Sequence, residues 1–205
     1  MVDRVGVLGG TFDPPHQAHL ELAAAAREQL KLSGVIFMPA GNPWRKSQGK
    51  VSPAKIRLEM VEAAVKNINW ATVSDIEASS SDPTYTSETL KRLKAEGPVR
   101  ELWFILGADA LADMVHWHNP VEIVSYARLA VAGRDGIEPK AGGELAGLIP
   151  NVQSFIDPVK MGALPDSSTG YRKQIGDTGS LRPGQEVAGA VLEIIRREGL
   201  YEDAD

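Results

Sequence analysis

Two histidines three positions apart, His16 and His19, follow the adjacent glycines Gly9 and Gly10 in the stretch Val5-Gly6-Val7-Leu8-Gly9-Gly10-Thr11-Phe12-Asp13-Pro14-Pro15-His16-Gln17-Ala18-His19. Glycines let backbone N–H groups come close to an anion without side-chain obstruction. A helix starting beyond them adds unpaired donors and a favourable dipole. At i,i+3 spacing both imidazoles stand over one helical turn. The chemistry this implies is the holding of phosphate. The plainer alternative is a tight turn followed by a loop histidine and a packed histidine, and the Gly-Gly pair alone does not exclude it.

Other glycine motifs are absent. A dinucleotide fingerprint needs G-x-G-x-x-G and a Walker loop needs Gly-Lys-Ser/Thr, whereas here Gly9-Gly10 runs into Thr11-Phe12-Asp13-Pro14. Two histidines make a poor metal site, and no H-E-x-x-H or His/Asp cluster of convincing spacing completes one, so no protein-bound metal is expected.

The elements that must position these residues alternate between short apolar runs and stretches of helical period, the mark of βα units around a parallel sheet. A first strand is expected at about residues 4–8 and a first helix at about 18–30, with an alanine-rich face slim enough to lie close to a sheet. Val35-Ile36-Phe37-Met38 gives a second strand, ending in the loop Pro39-Ala40-Gly41-Asn42-Pro43-Trp44-Arg45-Lys46. Ser52 can cap a helix with Pro53 at its first position and Ile56, Met60 and Ala64 on its apolar stripe, ending near Asn67. A third strand is expected over 71–76 and a helix over 86–95. Leu102-Trp103-Phe104-Ile105-Leu106 reads as a central strand covered on both faces, with Gly107-Ala108-Asp109 at its carboxyl end, where open α/β sheets place ligands. Asn119-Pro120-Val121-Glu122 reads as a capping box, 129–132 as a strand, 135–150 as an aperiodic surface excursion and 152–156 as a last strand. Val187, Val191 and Ile194 line a closing helix, with Gly199 past its end.

The composition narrows the partners. At 205 residues and 43% hydrophobic, the chain is large enough for one substantial core, and a single domain over 1–205 is expected, closed by a segment and helix at about 165–198. With 27 acidic against 22 basic residues and a net charge of −5, general attraction to nucleic acid is not implied, so local positive charge must serve any phosphate. The absence of cysteine excludes disulfides and thiolate chemistry. No signal-like start and no apolar run near the roughly 18 residues that span a bilayer are seen, so a cytoplasmic location without membrane contact is expected.

The stretch Gly9 to His16 with His19 resembles the signature of the nucleotidyltransferase superfamily that carries an H-x-G-H element. From about Val5 through Tyr201, the chain resembles bacterial nicotinate-nucleotide adenylyltransferases. The further points of likeness are Gly41-Asn42-Pro43-Trp44-Arg45-Lys46, Asp82 to Leu90, Gly107 to Leu111 with Trp117, Arg134, and Ser167-Ser168-Thr169-Gly170-Tyr171-Arg172. The resemblance implies a Rossmann-like three-layer α/β domain with a central parallel sheet. It implies transfer of AMP from ATP to nicotinate mononucleotide, with Mg2+ bound through the ATP phosphates and no nucleophilic side chain. A homodimer is compatible with it.

The same resemblance implies roles for individual residues. His16, His19, Lys46 and Arg172 serve the reacting phosphates. Gly9, Gly10, Thr11, Gly107, Asp109, Ser167, Ser168 and Thr169 bind ATP. Thr11, Phe12, Tyr85, Thr86, Trp117 and Arg134 bind the mononucleotide. Read without the resemblance, Lys46 or its neighbour Arg45 is a solvated cation, Ser-Ser-Thr a simple helix cap, and Trp117 an anchor for its own loop. Two departures stand out. Ala18 occupies the place of the family's glycine between the histidines, where a clash with adenine would cost about 1–3 kcal/mol. Asp166 and Tyr171 stand where the family has aliphatic side chains, and an unpaired Asp166 predicts an exposed or shifted segment. The alternatives are a related adenylyl- or cytidylyltransferase with another phosphate acceptor, and a nucleotide-binding regulator with weakened catalysis.

Overall fold

The computed structural model describes residues 2–42, 51–80, 82–96, 100–133, 137–162, 168–178 and 189–202. Its strands are β1 (Asp3–Gly10), β2 (Gly34–Pro39), β3 (Ala71–Val73), β4 (Arg100–Gly107), β5 (Ala127–Ala132) and β6 (Ile156–Val159). They form one sheet in the order β3-β2-β1-β4-β5-β6. The pairs β1–β4, β4–β5 and β5–β6 run parallel. This is the expected α/β, Rossmann-like arrangement of a parallel sheet flanked by helices.

The strand order explains the placement of the first glycines. The chain moves outward from β1 to β2 and β3, then returns to lay β4 on the other side of β1. In open α/β sheets such a reversal marks where ligands bind, outside the carboxyl ends of the two central strands. Leu8 pairs with Ile105, so Gly9 and Gly107 leave the sheet at the same edge. Continuous burial of Val5–Leu8 and Leu102–Leu106 is what strands covered on both faces require.

The helices are α1 (Gln17–Leu30), α2 (Ala54–Val65), α3 (Thr86–Glu96), α4 (Ala108–Asp113), α5 (Pro120–Tyr126), α6 (Gly143–Leu148), α7 (Ser168–Thr178) and α8 (Gly189–Arg197). Among the described residues none is long and apolar enough to cross a membrane. The residues gather into two compact units. The first comprises Met1–Gly9, Leu22–Ile36 and Thr84–Ala163; the second comprises Gly10–Glu21, Phe37–Pro83 and Leu164–Asp205.

In the first unit, Ala23 and Ala26 present the slim face of α1 and are fully buried. Trp103 is core as expected, and its indole N–H donates to Asp157 Oδ2 at 2.8 Å. Burial works against the Asp157 charge, but bonds from Arg128 and Trp103 outweigh it and hold the carboxyl below its ordinary range. In the second unit, α2, α7 and α8 share a core of Met60, Tyr171, Ile175, Val191, Ile194 and Ile195. Gly199, with φ 59°, ends α8 as the sequence predicts.

Several local expectations are corrected. Ser52 does not cap α2 through its side chain: the position before the helix is Pro53, and Ser52 contributes backbone groups to a polar cluster described below. Pro120 does open α5, but Asn119 is left-handed (φ 47°) and makes no side-chain cap bond, so the capping box is not formed. The excursion at 135–150 contains α6, which buries Leu145. Residues Val152–Phe155 form a 3₁₀ turn, and the last strand follows it at Ile156–Val159. The third strand is only Ala71–Val73. Val187 lies outside the described residues.

Candidate active site

Gly10 ends β1 and the chain reverses at Phe12, whose φ of 49° is left-handed. That conformation is costly for a bulky residue, about 1–3 kcal/mol, and persists only where packing enforces it. The packing is visible: Phe12 is 1% exposed, with its ring edge-on to His19 at 4.8 Å and tilted against Phe37 at 6.1 Å. The reversal also folds the Phe12 ring back over position 10, where a methyl group would sit 3.2 Å from ring carbon Cζ. A side chain at position 10 would force that ring to give by a few tenths of an ångström. The Phe12 ring thus belongs to the core.

The two histidines open α1. His16 stands just before the helix and His19 is its third residue. The His16 backbone N–H donates to His19 Nδ1 at 3.1 Å, and the His19 N–H donates to the His16 carbonyl at 2.9 Å. This has the logic of a capping box, in which the side chain of the third helical residue satisfies the donor preceding the helix. It also assigns the tautomer: with Nδ1 accepting, a neutral His19 carries its proton on Nε2, which becomes a donor. The imidazole centroids are 3.8 Å apart. Ala18, between them, is half-buried.

Residues far along the chain close on this turn. The Arg172 guanidinium donates to the Asp13 carbonyl at 2.8 Å and to Thr169 Oγ1 at 3.2 Å. Ser168 Oγ, at the first residue of α7, donates to the Pro14 carbonyl at 3.4 Å. The Tyr171 ring lies parallel to His16 with centroids 4.9 Å apart. Within the second unit, then, Gly10, Thr11, Phe12, His16, His19, Ser168, Thr169 and Arg172 come together from segments over 150 residues apart in sequence.

Behind the turn lies a buried polar cluster that the sequence reading missed. Arg57 is 1% exposed and donates to the carbonyls of Ser52 (2.8 Å), Thr11 (2.7 Å) and Gly41 (2.8 Å). Burial lowers its pKa, opposed by the charge of Asp13 and by Tyr201. Asp13, 2% exposed, accepts the Ser52 backbone N–H at Oδ2 (3.1 Å) and the Tyr201 hydroxyl at Oδ1 (2.6 Å). Burial, and then the neighbouring Asp13 charge, push the Tyr201 phenol well above its ordinary range. It therefore stays a neutral donor. The available signal was Arg57 itself, a cation three residues from Met60 on the apolar side of α2, where the period asks for a hydrophobe.

The first unit holds the remaining described candidates. Gly107 precedes α4, and a methyl there would meet no atom within 4 Å. Asp109 is exposed in the first turn of α4. Trp117 is half-buried: its indole N–H donates to Asp113 Oδ2 at 3.1 Å, and its ring stands edge-on to Phe104 at 6.0 Å, so the loop-anchor reading has a physical basis. Tyr85 stacks on His118 at 4.2 Å, and Ser87 Oγ donates to the His118 carbonyl at 3.2 Å. The segment bearing Tyr85 and Thr86 therefore lies against the turn bearing Trp117. Lys46, Arg134 and Ser167 lie outside the described residues, as do Arg45 and Asp166.

A parallel sheet with this strand order, ending in a glycine turn, two imidazoles and an arginine-bearing helix, has the architecture of a nucleotide-transferring α/β domain. Residues 7–174 match the cytidylyltransferase-like family. A protein of Dehalococcoides mccartyi named "probable nicotinate-nucleotide adenylyltransferase" is 37% identical over 199 residues, 97% of each chain. A protein of the same name from Saccharopolyspora erythraea is 36% identical over 202 residues, 98% of this chain and 91% of that one. Among solved structures, Plasmodium falciparum nicotinic acid mononucleotide adenylyltransferase complexed with APC covers 98% of both chains with a TM-score of 0.74 at 18% identity, a likeness of fold. The chain belongs to the cytidylyltransferase-like family and, within it, to the nicotinate-nucleotide adenylyltransferases.

Proposed function

We propose that this protein transfers the adenylyl group of ATP to nicotinate mononucleotide, releasing pyrophosphate and forming nicotinate adenine dinucleotide for NAD biosynthesis. The observation that carries this reading is full-length likeness to relatives bearing that name. The convergence of His16, His19, Ser168, Thr169 and Arg172 on one glycine turn supports it. A phosphate oxygen of the mononucleotide attacks the α-phosphorus of ATP. The bond from that phosphorus to the oxygen bridging towards the β-phosphate breaks, and its electron pair leaves on pyrophosphate. The attacking phosphate has a second pKa of about 6 and is largely deprotonated near neutrality, so no general base is needed. The protein aligns two anions and neutralises charge as it moves between oxygens.

In this reading Gly9, Gly10 and Thr11 border the triphosphate, and His16 and His19 donate to oxygens at the reacting centre. The Nε2–H tautomer assigned to His19 suits that role. Lys46 and Arg172 balance charge on the leaving pyrophosphate, with Ser167, Ser168 and Thr169 beside it. Gly107 and Asp109 hold the adenosine side. Thr11, Phe12, Tyr85, Thr86, Trp117 and Arg134 hold the mononucleotide, with Trp117 stacked on its pyridine. Mg2+ bound through the ATP phosphates would neutralise part of the triphosphate charge beside Gly9, Gly10 and Thr11. Among the described residues no group of three or more His, Cys, Asp or Glu gathers to hold an ion.

The test is pyrophosphate release with each nucleotide and acceptor in turn. ATP with nicotinate mononucleotide is expected to exceed ATP with nicotinamide mononucleotide, ATP with phosphopantetheine, and CTP with any acceptor by at least about tenfold in kcat/KM, the discrimination that one or two lost polar contacts provide. Preference for phosphopantetheine or for CTP overturns the assignment. Tight ATP binding with no product from any acceptor would favour the regulator instead.

A further inference from the structure

The Tyr171 ring, 1% exposed, lies within 6° of parallel to the His16 imidazole at a centroid distance of 4.9 Å. This is offset stacking, the arrangement favoured between flat π-systems. Tyr171 is itself held from several directions. It belongs to the apolar core with Met60 of α2 and Val191, Ile194 and Ile195 of α8. Its own helix is tied to the turn before α1 on both sides of it in sequence, by Ser168 to the Pro14 carbonyl and by Arg172 to the Asp13 carbonyl. The ring is therefore a fixed wall. The terminal torsion of a histidine is broad and two-fold, so bonds at the backbone do not set the plane of its ring. A fixed flat neighbour does.

We propose that Tyr171 is a positioning residue that sets the plane of the His16 imidazole, and with it the direction in which His16 donates to the reacting phosphates. The proposal rests on the adenylyl-transfer reading above. An aliphatic side chain at 171 would still fill the core but would offer the imidazole no flat face. Errors of orientation at a reacting centre reach 10²-fold in rate. The expected cost here is smaller, because the 3.8 Å contact with His19 still restricts one direction.

The experiment compares Tyr171→Leu, Tyr171→Met and Tyr171→Phe in steady-state kinetics and in proton NMR of the histidine ring, with the His16 resonances assigned by their loss in His16→Gln. Leu and Met are expected to lower kcat by about tenfold, leaving KM for ATP and nicotinate mononucleotide within about twofold. The His16 ring protons should move downfield as the ring current is lost. Tyr171→Phe keeps the flat face and should restore kcat to within about twofold with the His16 resonances near their original positions. Met guards against Leu simply leaving a cavity. Unchanged kcat in Leu and Met while the His16 protons move overturns the proposal, as does a Phe variant as impaired as Leu. So does a fall in kcat and Tm in all three with no movement of the His16 protons. If the unmodified protein makes no product from ATP and nicotinate mononucleotide, the functional reading fails, and nuclear Overhauser contacts between the His16 and His19 ring protons, kept in Tyr171→Phe and averaged in Tyr171→Leu, then decide whether Tyr171 sets the His16 plane.

Discussion

Arg57→Met tests the claim that a buried cation holds the glycine turn in place. Methionine keeps much of the arginine's length and apolar volume but none of its donors. Three carbonyls, from Thr11 after β1, Gly41 after β2 and Ser52 before α2, lose bonds of 2.7–2.8 Å. Each bond to a charged donor is worth about 1.5–3 kcal/mol, so a simple sum would reach about 5–9 kcal/mol. That sum is too large, because the variant no longer buries a guanidinium, and the cost of doing so is the same burial that lowers the Arg57 pKa. What remains is the penalty for leaving the partners of a buried ion unpaired, about 3–5 kcal/mol. Asp13 adds to it, since its 2%-exposed carboxylate keeps Ser52 and Tyr201 but loses the nearby charge. With a urea m-value of about 2 kcal/mol/M, the midpoint should fall by roughly 2 M. Arg57→Lys keeps the charge, but one compact ammonium cannot span three carbonyls, and about half the loss is expected. A Met midpoint within about 0.3 M of the unmodified protein, at an unchanged m-value, would show that other groups satisfy these carbonyls and that Arg57 is not the tie.

Three further outcomes are expected. His19→Ala should lower kcat by about 10²–10³ through loss of the Nε2–H donor and cost about 1 kcal/mol of stability through loss of the acceptor for the His16 N–H. His19→Asn, which keeps an acceptor, should show the kinetic loss with less of the stability loss, and near-normal turnover in both removes His19 from the mechanism. Because the Asp157 carboxyl is held below its ordinary range, its stabilisation is present above the unfolded value near 3.9 and disappears as pH falls through the folded one. Asp157→Asn should flatten the acid limb of a urea-stability profile below about pH 4, and parallel limbs would refute this. Tyr201→Phe deletes the 2.6 Å hydroxyl bond to Asp13 and should cost about 1.5–3 kcal/mol in urea titrations at neutral pH. Since the folded phenol titrates above its unfolded value, that contribution holds below about pH 10 and fades above it. A constant difference from pH 7 to 11 would contradict the assignment.

What could be read from sequence was local. Five large apolar residues bounded by Glu101 and Gly107 could only be a doubly covered strand, and β4 spans them. The i,i+3 histidines could be placed at a helix start because both lie within one turn of it. The failures were also local, where two rules competed. The strand expected at 152–156 is instead a 3₁₀ turn followed by β6, which carries Pro158 as an edge strand of the sheet can. Gly143 and Gly147 argue against helix by propensity, yet α6 forms around buried Leu145. Asn119 and Glu122 have capping-box spacing, but the left-handed backbone at Asn119 turns its side chain to other use.

The groups that hold the site together had no such local trace. Asp13 meets Arg172 across 159 positions and Tyr201 across 188, and no periodicity links residues so far apart. A long-range polar pairing betrays itself in sequence only where it breaks a local rule, because burying a polar group is costly unless a partner is present. Arg57 breaks such a rule by standing on the apolar side of α2. Tyr201 breaks none: it lies two residues beyond Gly199, which ends α8 in a left-handed turn, and its own φ of 69° is visible only in the structure. The left-handed conformation carries no steric cost for Gly199 but is costly for an aromatic residue, and the Tyr201 hydroxyl bond to Asp13 helps offset that cost. A charge at an apolar position, as at Arg57, is thus where a single sequence shows that distant segments must meet.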